Sequence, residues 1–152
     1  MQRFTVAHSC GHEATHASTG GDQERHERAI AFARQPCPSC IRTARAETAA
    51  RHREAWKLPP LQGSADDIAW AEVIRLKLIE KNRDYHRQLL AEKPFEDDES
   101  LHSTVFAAAE AALEELQNES RANWWVENHL SAVNFVKLHI ATAIAPLLKS
   151  RT

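Results

Sequence analysis

Glycine is scarce here: the chain holds four in 152 residues, against an ordinary usage of about 7%. Neither GxGxxG nor GxxxxGK[ST] occurs, so the glycine loops that cradle nucleotide phosphates are missing. No uninterrupted run of eighteen apolar residues exists, and on that basis no membrane span is expected. The first residues, Met1-Gln2-Arg3-Phe4-Thr5-Val6, run at once into His8 and Cys10 and lack the apolar stretch of a signal peptide. A cytoplasmic protein is therefore the expectation. Cysteine is also sparse. Three residues, an odd number, argue against a disulfide framework.

What the chain has is alanine, 25 residues, with 43% apolar and 26% charged residues overall. That balance favours helix over sheet. The formal net charge is −2, unevenly spread. Residues 1–57 carry 9 Lys and Arg against 6 Asp and Glu, and residues 58–152 carry 10 against 15. Between them lies Leu58-Pro59-Pro60-Leu61-Gln62-Gly63, where the proline pair disfavours helix. The sequence thus divides into a head with a helical connector, 1–57, and a helical bundle, 58–152.

In the head, Phe4 and Val6 alternate with polar residues in a short strand, and residues 13–19 can close a hairpin. Gly20-Gly21-Asp22 opens a polar helix that Pro36-Cys37-Pro38-Ser39-Cys40 ends. Residues 41–57 read as an exposed, arginine-rich helix with Trp56 docking at its end. In the bundle, Ser64 caps a helix ending before Pro94, with Ile68, Ala71, Ile74 and Leu78 at helical spacing and Trp70 and Val73 widening the stripe. A second helix follows, with Ser100 as a candidate cap. The last segment, 121–149, is broadly apolar, with a break expected at Asn128-His129 and a kink or stop at Pro146. The expected shared core is Trp70, Ile74, Leu78, Val105, Leu116, Trp124, Val133 and Val136, with Trp56 or Leu58 touching it.

The chemistry concentrates on Cys37-Pro38-Ser39-Cys40 and, 27 residues earlier, His8-Ser9-Cys10-Gly11-His12. Thiolates and imidazoles at two short turns suit tetrahedral zinc. Glycine after the second ligand of a turn allows a left-handed backbone, which selects His8-x-Cys10-Gly11. The expected ligands are then His8, Cys10, Cys37 and Cys40. The rival set has His12 in place of His8. A redox CxxC would sit in a βαβ unit, and no such pattern is visible. A catalytic zinc would keep an open position beside a carboxylate, and Glu13 is the only close one. A closed structural site is the better reading.

Other candidates carry less. His16, His26 and His52 are expected to face solvent. No GxSxG elbow accompanies the serines. Trp124-Trp125 reads as core packing before a stacking platform. The Glu96-Asp97-Asp98-Glu99 run reads as a solvated loop. Arg42, Arg45, Arg51 and Arg53 offer a basic stretch for phosphate, interrupted by Glu47 and Glu54.

Several segments together resemble a zinc-ribbon-headed family of bacterial, phage and plasmid proteins. Its heads typically read CxCGH followed by CPxC, as in His8-Ser9-Cys10-Gly11-His12 and Cys37-Pro38-Ser39-Cys40. Leu58-Pro59-Pro60-Leu61-Gln62-Gly63-Ser64 with Ile68-Ala69-Trp70-Ala71-Glu72-Val73-Ile74-Arg75 is similar to its LPxLxGSxKQIxWAExIR signature, and Trp124-Trp125-Val126-Glu127-Asn128 to its WWIDN motif. His8 stands where cysteine is usual, and Asp66-Asp67 where Lys-Gln is usual. The resemblance carries over no activity. Its mobile-element setting implies an accessory role, such as an anti-defence (anti-CRISPR) inhibitor. The expectation is thus a non-enzymatic protein-binding module with structural Zn2+, its partner a protein such as a host defence complex. The alternative is a nucleic-acid-binding zinc-ribbon protein.

Overall fold

The computed structural model describes all of residues 1–152. It is a mainly α protein preceded by a two-stranded antiparallel hairpin. The chain forms two compact units, residues 1–50 and 51–152.

In the first unit, β1 (Gln2–Ala7) pairs with β2 (Glu13–Ser18), Thr5 opposite Thr15 and Ala7 opposite Glu13. Alternation puts Phe4, Val6 and His8 on one face, and Val6 and His8 are buried. Phe4 stacks at 6.3 Å from Phe32 of α1 (Asp22–Ala33), which ties the hairpin to that helix. The helix α2 (Pro38–Ala55) starts within the CxxC turn and buries none of its residues, as its thin apolar content requires.

In the second unit, α3 (Ala65–Glu92) starts at Ser64, whose side chain accepts from Asp67 N, and ends at Lys93 in a left-handed conformation before Pro94. The next helix, α4 (Glu99–Asn118), is capped by Asp98, two residues before the expected Ser100. The closing segment breaks where expected. It forms α5 (Ala122–Asn128), a 3-10 turn (Ala132–Asn134) and α6 (Phe135–Lys149). α6 continues through Pro146 instead of stopping there. Residues 132–149 average a hydropathy of 1.2, enough by length and composition to cross a bilayer. The stretch is not an uninterrupted apolar run, because Asn134, Lys137, His139 and Thr142 break it. Its Val136 and Ile140 are buried against α4 residues including Val105 and Ala109.

The core differs from the expected one in shape and membership. One cluster gathers Leu58, Ala71, Leu78, Ile79, Leu116, Ala122, Trp125 and Ala132, with Trp56 packed against it. A second joins Leu89, Val105, Ala109, Ala112, Val136 and Ile140, and Phe135 packs against both. Leu78, Val105, Leu116 and Val136 are buried as expected, and Ile74, Trp124 and Val133 are half-buried. Trp70 is not core: it is 69% exposed. The buried face of α3 runs through Ala71, Arg75, Leu78, Ile79 and Asn82. Two of those positions are polar, so the apolar residues alone place the stripe's centre too close to Trp70.

Both polar residues hold the bundle together. Arg75 donates to Pro59 O at 2.7 Å and pairs with Glu72, which also receives Arg53 at 2.8 Å. Asn82 donates to Leu78 O and Ala132 O and accepts from Val136 N at 3.0 Å, fixing the start of α6. Residues after the proline pair return onto the bundle, where Gln62 exchanges backbone hydrogen bonds with Ser120 and Ala122. Gly63 sits at φ +147 there, and a Cβ on it would meet Ala122 Cβ at 3.2 Å, so glycine is required.

Candidate metal centre

The turn after β1 is shaped by backbone hydrogen bonds, Gly11 N to His8 O at 2.9 Å and His8 N to His12 O at 2.9 Å. Gly11 adopts φ +83, the left-handed conformation expected of it. The second turn opens α2, and there Cys40 N donates to Cys37 Sγ at 3.4 Å. Cys37 N donates to Cys10 Sγ at 3.2 Å, which links the turns.

Around these turns the ligand atoms of Cys10, His12, Cys37 and Cys40 all lie within 4.8 Å of one another. Tetrahedral zinc with Zn–S near 2.3 Å sets its sulfurs about 3.8 Å apart. The donors therefore need only small inward shifts to share one ion. His12 Nδ1 faces Cys40 Sγ at 3.2 Å and Cys37 Sγ at 3.9 Å, so the imidazole turns the correct atom inward. Three thiols and one imidazole close enough to hold a metal are what the structure shows.

Three of the four expected side chains, Cys10, Cys37 and Cys40, come together, and the fourth place goes to His12 instead of His8. His8 is buried with both ring nitrogens engaged. Its Nδ1 lies 3.1 Å from Gln35 O and its Nε2 2.9 Å from His16 Nε2. A carbonyl only accepts, so His8 Nδ1 donates to Gln35 O, and its Nε2 shares a hydrogen bond with His16 Nε2. His16 is not solvent-facing either: it is half-buried and stacks on Phe32 at 4.3 Å. The signal for His8 is the Phe4-x-Val6-x-His8 alternation, which extends the strand's buried face by one step. His52, also expected in solvent, stacks on Trp56 at 4.8 Å. Exposed His26 is as expected.

The thiols are electrostatically unequal. The Cys37 N–H and the backbone beside His12 stabilise the Cys10 thiolate and lower its pKa to about 6. The hydrogen bond between the Cys40 and Cys37 thiols, aided by burial, raises Cys40 to about 11. A divalent cation bound among these sulfurs would hold all three as thiolates.

No protein-family model matches the chain, and neither does any curated protein or any solved structure.

Proposed function

We propose that this protein is a non-enzymatic protein-binding module whose head is held by a structural zinc ion on Cys10, His12, Cys37 and Cys40. Three thiolates and an imidazole match zinc's preference, and four donors fill a tetrahedron without leaving a position for water or substrate.

The observation that carries the binding reading is the charge of α4. It holds Glu99, Glu110, Glu114 and Glu115, all exposed, and no lysine or arginine. Glu114 and Glu115 lie near its C-terminal end, where the helix dipole favours cations. That placement works against the helix by itself and serves a basic protein surface. The same field repels phosphate. Of the four arginines considered for nucleic acid, Arg53 is committed to Glu72. The resemblance to mobile-element proteins makes a host defence complex the partner class to probe first.

The test is charge reversal in a folded protein. Glu110→Lys with Glu114→Lys should abolish capture of the partner, by at least about 10-fold in affinity, while helical content is kept. Arg42→Ala with Arg45→Ala should leave capture intact. If the arginine changes instead abolish a salt-sensitive shift of mixed DNA or RNA, the nucleic-acid reading stands in its place.

A further inference from the structure

The helical unit buries Trp125, Leu116 and Ile79 completely yet leaves Trp70 69% and Val73 53% exposed on α3. These two side chains lie one turn apart on the face of α3 opposite its buried stripe. Asp66 precedes them by one turn and Lys77 follows by one turn. Both are exposed, and neither side chain enters an ion pair or hydrogen bond within the chain. Asp66, Trp70, Val73 and Lys77 are spaced four, three and four residues apart, the a/d spacing of a coiled-coil seam. They form one line of about 16 Å along the helix.

That line is self-complementary. Read from either end it runs charge, apolar, apolar, charge, with opposite signs at its ends. A second helix laid antiparallel, with its twofold axis between residues 71 and 72, sets Asp66 against Lys77 and Trp70 against Val73. The same axis sets Ala69 against Ile74. A parallel copy would instead oppose Asp66 with Asp66 and Lys77 with Lys77. A twofold interface requires that residue i meet j while j meets i, and this line satisfies that condition. The geometry points to a homodimer in which α3 packs antiparallel on α3 of a second copy through Trp70 and Val73, with two Asp66–Lys77 ion pairs at its ends. Beyond Glu80 the helix faces nothing helical, because Glu80 falls opposite Gly63, outside the partner helix. The contact is therefore smaller than a standard interface of about 1,600 Å², and the dimer is weak and concentration-dependent.

The experiment is sedimentation equilibrium of the full chain over a concentration series reaching about 1 mM, the weak end of specific affinity. Wild type should pass from monomer to dimer. Trp70→Ala should weaken the dimer at least about 10-fold with an unchanged melting curve, since the side chain is exposed. Asp66→Lys and Lys77→Glu should each weaken it, because each places like charges at both ends. An equimolar mixture of these two variants should restore association close to the wild-type level, as every end contact in the mixed dimer is again opposite in sign. A monomer across the whole series overturns the proposal. So does a dimer that ignores Trp70→Ala, or a mixture that associates no better than either variant alone.

Discussion

His8 and His12 lie four residues apart on one turn and have unlike surroundings. His8 is buried and spends its nitrogens on Gln35 O and His16. His12 is exposed and turns Nδ1 toward two sulfurs. His12→Ala should therefore lower zinc affinity by more than the roughly 10–100-fold typical of losing an outer-shell partner. His8→Ala should leave one zinc per chain but loosen the hairpin against Phe32. Competition with a chromogenic chelator gives the affinities, and amide exchange reads the hairpin. Greater zinc loss from His8→Ala than from His12→Ala would return the ligand assignment to His8. The sequence made the three cysteines and the glycine turn legible, because their chemistry is set by type and spacing. The choice of histidine depended on where a strand's alternation stops. Cys10 and His12 lie beyond the end of β1, whereas His8 is still in phase with it.

Elements were more legible than their faces. Caps and breakers marked α3 at Ser64 and Pro94, because a cap is a local hydrogen bond: Asp67 N donates to Ser64 Oγ. The buried stripe of α3 was less readable, because Arg75 and Asn82 occupy it and satisfy carbonyls of residues 16 and 50 positions away in sequence. Nothing local announces such partners. The two tryptophans at issue now make opposite predictions. Trp125 is fully buried, with Nε1 donating to Glu119 O at 3.0 Å, so Trp125→Ala should destabilise the helical unit by about 3–5 kcal/mol. Trp70→Ala should stay within about 0.5 kcal/mol of wild type in stability. Urea unfolding followed by helical circular dichroism measures both. Equal losses would mean that Trp70 is covered in the folded chain.

On the scale of the whole molecule, the two units obtain stability from different sources. In residues 1–50 the only buried side chains are Val6, His8, Ser18 and Cys37, and neither α1 nor α2 buries a residue. A unit of that size with so few buried groups falls below what apolar burial sustains, and a metal held by the Cys/His cluster would supply the missing free energy. Residues 51–152 contain both hydrophobic clusters and no metal donors of the centre. Stripping zinc with a chelator, or replacing Cys37 by Ser, should therefore unfold the head and leave the bundle. Amides of β1 and β2 should exchange rapidly, while those of α3, α4 and α6 keep their protection. The helices α3 to α6 hold 70 of the 100 residues in α-helix. The helical circular dichroism signal should thus fall by no more than about a third. A single cooperative loss of all helical signal on chelation would show that the bundle depends on the head. Unchanged exchange in β1 and β2 after complete zinc removal would show that the head folds without its metal.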